Sequence, residues 1–175
     1  MIRTTLTLAA AAVMLGGCTT KDDPATTTSA ENSNEAPAWI LTSMPVDAQS
    51  VVDAKASATE GDTIAVRGKI GGRIDALGAN VAIFVMMDSS VPSCADKGHD
   101  NCPTPWDYCC ESPESKMKHA ATVQIVDDAG IPRTVSLESL GFEMLDEVVV
   151  IGDVGERPTE DVLVIRAEKI YRVEG

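Results

Sequence analysis

Beyond Gly61 the chain alternates apolar and polar positions in five runs separated by turn residues. A period of two places one face of a strand in a core. The first run is Thr63 to Ile70, with Ile64, Val66 and Ile70 on one face and Gly68 between them, where a bulge is expected to bend the strand. The second, Val81 to Met87, is apolar on both faces and ends at Asp88; the third, Ala121 to Val126, ends in the turn Asp127-Asp128-Ala129-Gly130. A short helical turn around Leu137 to Leu140 precedes the fourth run, Glu147 to Val154, and the turn Gly155 to Asp161 precedes the last, Val162 to Val173. Five strands with a helical turn between the third and fourth predict an all-β fold, and a small closed barrel covers its sheet edges most economically. A meander sandwich is the competing architecture.

The pattern is different upstream. Trp39, Ile40, Leu41 and Met44 begin the folded part. Within a lead-in over residues 38–60, Asp47 is expected to cap a short helix through about Ala58, with Val51 and Val52 inward and Gly61 stopping it. From Thr19 to Pro37 no apolar residue is larger than alanine, which predicts a disordered tether with a span on the order of 25 Å. Leu6 to Leu15 form an apolar run behind Arg3, of signal-peptide length and well short of the roughly 20 residues that cross a bilayer. The small pair Gly16-Gly17 then leads straight into Cys18.

The tetrad Leu15-Gly16-Gly17-Cys18 resembles a bacterial lipobox. That resemblance implies that residues 1–17 are a removed signal peptide, that the Cys18 thiol carries lipid, and that 18–37 is a lipidated tether. One acyl chain holds a protein only marginally and two or three hold it stably, so the membrane partner is reached through lipid on Cys18. Thr19 in place of aspartate implies, by the family's sorting behaviour, the outer membrane facing the periplasm if the cell has two membranes. An ordinary secretory signal with an incidental cysteine is the alternative.

Charge narrows the partners. Without residues 1–17 the chain carries 13 Lys/Arg against 27 Asp/Glu, a net charge of −14. That is the wrong sign for phosphate backbones, and the basic residues, such as Arg67, Lys69 and Arg73, are scattered, so no nucleic acid is expected. Anionic lipid surfaces should repel the domain as well, leaving the anchor to supply membrane residence. With few aromatics, the core is expected to be Val, Ile, Leu, Ala and Met.

The strand order over roughly 61–173 resembles the OB-fold. The residues that carry the resemblance are the Thr63–Ile70 run followed by Gly71-Gly72, the Phe84 strand ending at Asp88, and Val148-Val149-Val150-Ile151-Gly152 before the Leu163-to-Ile170 strand. It implies an OB-like domain over 61–175 with the usual binding face on its second and third strands. Topology licenses no activity by itself.

All four remaining cysteines, Cys94, Cys102, Cys109 and Cys110, lie in one long insertion, Ser89 to Ala120, between the second and third strands. Such a loop tends to be functional or covalently tied. It is similar to one in envelope lipoproteins with a CPTPWDYCC-like segment, a likeness that brings no activity with it. In an oxidising envelope two disulfides are expected, joining Cys94 to either vicinal cysteine and Cys102 to the other. The alternative is a zinc or copper site built from Cys94, Cys102, Cys109 or Cys110 with His99 or His119. Against it stand gaps of seven, six and zero residues where zinc knuckles use two to four, and vicinal side chains that need a turn before they can share an ion. A redox thiol at Cys109 or Cys110 is the third option, without a C-x-x-C pair or a flanking cation. The carboxylates Asp88, Asp96, Asp100, Asp107 and Glu111 read as wetted surface rather than an acid/base pair.

The function expected from the sequence is therefore non-catalytic: a lipid-anchored module whose loop recognises an envelope protein or polysaccharide. Trp106 and Tyr108 are its candidate contacts, or else the hydrophobic plug of the loop. Metal handling on the Cys/His loop is the alternative.

Overall fold

A computed structural model describes residues 36–98 and 101–174. Cys18, the signal and nearly all of the tether lie outside the described residues, as does His99. The elements run β1 (Gln49–Ser50), α1 (Val51–Ser57), β2 (Thr63–Ile70), β3 (Ile83–Met87), α2 (Pro113–His119), β4 (Ala120–Ile125), β5 (Glu147–Val154) and β6 (Val164–Arg172). Short 3-10 turns occupy Pro105–Asp107 and Glu138–Leu140.

Each predicted strand forms where the alternation places it, because burying every second side chain requires the backbone to be extended and paired. β2 exposes Thr63 and buries Ile64, Val66 and Ile70. It pairs antiparallel with both β3 and β5, β3 pairs antiparallel with β4, β4 runs parallel to β6, and β6 returns antiparallel to β5. The ladder closes on itself, a five-stranded OB-like barrel with β1 added parallel to β2. Its core is aliphatic apart from Phe84 and Phe142, with Val66, Ile70, Met86, Val123, Ile125, Val150, Ile165 and Ile170 fully buried.

Two local expectations are corrected, and one helix is added. The bulge is not at Gly68, which pairs in register with Val148; it lies in β6, where Gly152 pairs Ala167 and Ile151 pairs Lys169, leaving Glu168 over. Gly68 instead lets β3 approach, since a Cβ there would sit 2.6 Å from the Met87 carbonyl oxygen. The helix cap is Ser50 rather than Asp47: the Ser50 hydroxyl accepts from the Asp53 amide, while Asp47 sits in the preceding turn with φ of 60°. The 89–120 insertion contains α2, started by Ser112 accepting from the Ser115 amide with proline at the first helical position.

Two long side chains staple the lead-in to the barrel. Arg157 donates to the carbonyls of Ala58, Lys55, Glu160 and Val162, covering the end of α1, and Lys55 donates to the carbonyls of Met117 and Asp161. At the root of the insertion Asp88, only 2% exposed, accepts from the Val52 amide and from the amide and hydroxyl of Ser90. Burial opposes its charge, yet these hydrogen bonds outweigh burial and hold the carboxyl below the ordinary carboxylate range. No helix among the described residues is long and apolar enough to cross a membrane.

Candidate functional site

The insertion leaves β3 at Asp88, returns through α2 into β4, and folds back against the mouth of the barrel. Tyr108 is what holds it there. Fully buried, its ring packs with Met87 and Val91, and Ala120 and Leu145 close over the group. Burial first, then the charges of Asp96 and Cys94, push its hydroxyl up to about 12. Of the two roles expected for Tyr108, its position is that of the plug, and it offers no contact surface.

Gly71 and Gly72 receive the plug. The Gly72 amide donates to the Trp106 carbonyl at 2.8 Å, and a Cβ on Gly71 would lie 2.6 Å from that carbonyl oxygen and 2.9 Å from Tyr108 Cε2. A pair that reads as a turn in sequence is thus the seat of the loop. Trp106, half-buried, donates its indole N–H to the Ile74 carbonyl at 2.9 Å.

This docking turns the backbone so that the cysteines converge. Tyr108 adopts the left-handed conformation, φ 55° and ψ 40°, which redirects the chain, and Cys109 and Cys110 follow it in a turn rather than in extended backbone. Asp107 fixes the turn, its Oδ1 accepting from the Cys109 amide at 2.7 Å and its Oδ2 from the Thr104 hydroxyl at 2.9 Å. The Cys94 amide reaches across to the Pro105 carbonyl at 3.2 Å, and Lys97 pairs with Glu111 at 2.5 Å.

The resulting sulfur cluster has Sγ separations of 3.2 Å for Cys94–Cys110, 3.5 Å for Cys94–Cys109, 3.7 Å for Cys102–Cys109 and 4.0 Å for Cys109–Cys110. All four are free thiols, and the expected disulfides are not formed: a disulfide needs about 2.05 Å. Four sulfurs around a zinc ion at about 2.3 Å lie about 3.8 Å apart along each tetrahedral edge, and the four observed pairs bracket that length. One ligand atom from each of Cys94, Cys102, Asp107 and Cys109 also falls within 4.8 Å of the others. Cys94 is buried at the base, Cys102 half-buried, and Cys109 and Cys110 face solvent.

The thiols perturb one another in opposite directions. Burial raises the Cys94 thiol, but hydrogen bonding with Cys110, then Cys109 and Cys102, outweighs it and holds Cys94 below the ordinary thiol range. Cys109 and Cys110 are pushed up, first by their hydrogen bonds to Cys94.

His119 does not join the cluster; its Nδ1 lies 2.7 Å from the Ser115 carbonyl oxygen of its own helix. Asp107, read from sequence as wetted surface, is half-buried and part of the site. Its signal was present in Thr104-Pro105-Trp106-Asp107, a hydroxyl three residues before a carboxylate around a proline, which is turn chemistry. On the face where OB-like barrels usually bind ligands, a cleft of about 430 Å³ is lined in part by Ile83, Phe84, Val85 and Thr122, with the Phe84 side chain buried in the core. That face has no aromatic platform among its described residues. Comparisons with protein-family models, curated proteins and solved structures give no match.

Proposed function

We propose that this chain is a lipid-anchored, non-catalytic protein of the cell envelope whose insertion holds a thiophilic cation, zinc or cuprous copper, on Cys94, Cys102, Cys109 and Cys110. The carrying observation is the convergence of four free thiols, four of whose six Sγ pairs lie 3.2 to 4.0 Å apart, on a loop locked to a closed barrel. Soft thiolates in a tetrahedral set suit zinc or Cu(I), and a closed set of four protein ligands suits binding rather than catalysis, which needs an open position. Asp107 serves as the positioning residue, orienting Cys109 through its amide. The anchor is supported by Leu15-Gly16-Gly17-Cys18, and the acidic domain by itself has no attraction for an anionic membrane.

The test is a zinc titration of the reduced, metal-free chain followed by native mass spectrometry and thiol alkylation. One zinc per chain is expected, with all four thiols protected from alkylation until a chelator removes the ion. Four thiols that alkylate equally fast with and without zinc, and no zinc adduct, overturn the proposal.

Contact with an envelope protein is the second function that an observation favours. Ile74, 60% exposed, stands beside the half-buried Trp106 at the rim of the loop. If that rim is a contact, Ile74→Asp abolishes capture of a cross-linked partner in intact cells without lowering zinc affinity.

A further inference from the structure

The cluster is not four equivalent thiols but two complementary pairs. Cys94 lies 3.2 Å from Cys110, and Cys102 lies 3.7 Å from Cys109, so the two nearest disjoint pairs use every sulfur once. The other crossed arrangement joins Cys94 to Cys109 at 3.5 Å and leaves Cys102 and Cys110, between which no thiol contact forms. The vicinal cysteines have different nearest partners, and a direct Cys109–Cys110 bond is discouraged by their adjacent backbones. Each near pair needs to close by only about 1–2 Å to reach bonding distance. The same sulfurs thus lie on the edges of a cation tetrahedron and on the threshold of two disulfides.

Accessibility is graded in the order that exchange requires. Cys109 and Cys110 face solvent, whereas their respective partners Cys102 and Cys94 are half-buried and buried. An incoming disulfide meets an exposed thiol first and finds the resolving thiol behind it, a layout typical of redox-sensing cysteines.

We infer that the site is redox-gated: oxidation by a disulfide-bearing envelope protein closes Cys94–Cys110 and Cys102–Cys109 and expels the cation. This rests on the cation-binding function proposed above and adds its regulation and the class of partner that delivers it. In each half, the exposed Cys110 or Cys109 sulfur, which the bound cation keeps deprotonated, attacks one sulfur of the partner's disulfide, forming a mixed disulfide and releasing the partner's other sulfur as a thiolate. The thiolate of Cys94 or Cys102 then attacks the Cys110 or Cys109 sulfur, forming the internal S–S bond and releasing the partner's second thiolate. Each half passes two electrons to one partner disulfide, and the sulfurs leave the metal because a disulfide carries no negative charge with which to hold it. Return to the dithiol state takes the same steps with a dithiol protein as reductant.

The experiment uses the lipidated chain in detergent, reduced and loaded with zinc, with oxidised glutathione as the disulfide probe. Zinc release is followed with a chromophoric chelator, and intact mass is read after acid quench. One zinc released per chain, in step with a mass about 4 units lower and no retained glutathione, is the expected result. Two pair variants fix the connectivity. A chain keeping only Cys94 and Cys110, and one keeping only Cys102 and Cys109, each become about 2 units lighter, whereas a chain keeping only Cys102 and Cys110 retains glutathione as a mixed disulfide. Zinc that stays bound with four protected thiols overturns the gating and leaves the cation site standing. Disulfides that close in a chain that never took up zinc overturn both. Rapid closure of the Cys102/Cys110 variant overturns the pairing.

Discussion

The barrel and its insertion reach order by different physics. The barrel hides an aliphatic core behind a closed ladder, so each strand is stabilised by neighbours on both sides and by burial that needs no covalent or ionic help. The insertion has one small apolar cluster around Tyr108, exposed ion pairs worth little each, and four sulfurs. A loop so thinly packed gains more from a cation or a cross-link than a core strand does. The barrel is therefore the fixed frame, and the insertion is the part whose order depends on its chemistry.

The sharpest contrast comes from one large truncation in each region. Phe84→Ala empties the barrel core and should cost about 3–5 kcal/mol, lowering the thermal midpoint of the whole domain. Tyr108→Ala should cost about 2–3 kcal/mol and lower zinc affinity at least tenfold, because the turn that brings the cysteines together loses its anchor. Calorimetry with and without zinc checks both. Phe84→Ala with an unmoved midpoint, or Tyr108→Ala with unchanged zinc affinity, breaks the division between frame and site.

Acid probes the junction between the two regions. Asp88 is held as a carboxylate below its unfolded pKa, so its contribution is present above about pH 4 and is lost as pH falls through the lower folded value. Denaturant unfolding should lose stability as pH falls below about 4, and Asp88→Ala should cost about 1–3 kcal/mol at neutral pH by leaving the Val52 and Ser90 amides unpaired, while flattening the acid dependence. A variant as acid-sensitive as the parent contradicts this.

A smaller effect on stability falls on Asp107. Asp107→Ala removes the acceptor for the Cys109 amide and the Thr104 hydroxyl, at a cost of about 1 kcal/mol. Its zinc affinity should fall further than its stability does, since the variant loosens a ligand rather than a core. Isothermal titration beside thermal melting separates the two, and equal losses in both point to a merely structural Asp107.

How much of this was written in the sequence follows the same division. The alternation of Ile64, Val66 and Ile70, and of the runs after them, announced the strands because a half-buried strand has a local period. The Ser50 cap and α2 had local signals as well, in Ser50 with Asp53 and in Ser112-Pro113-Glu114. The meeting of Cys94 with Cys110 had none. It depends on Tyr108 turning left-handed and on Gly71 leaving room for the Trp106 carbonyl, and both are tertiary contacts. Spacing rules assume ligands on neighbouring knuckles, whereas here the seating of the loop on Gly71 and Gly72 brings the sulfurs together.

The central claim is that four thiols share one cation. X-ray absorption at the zinc edge of the reduced, zinc-loaded chain tests it most directly. Four sulfurs at about 2.3 Å are expected around the ion, with one lost in Cys110→Ser. A shell dominated by nitrogen or oxygen at about 2.0 Å, unchanged by that substitution, would contradict it.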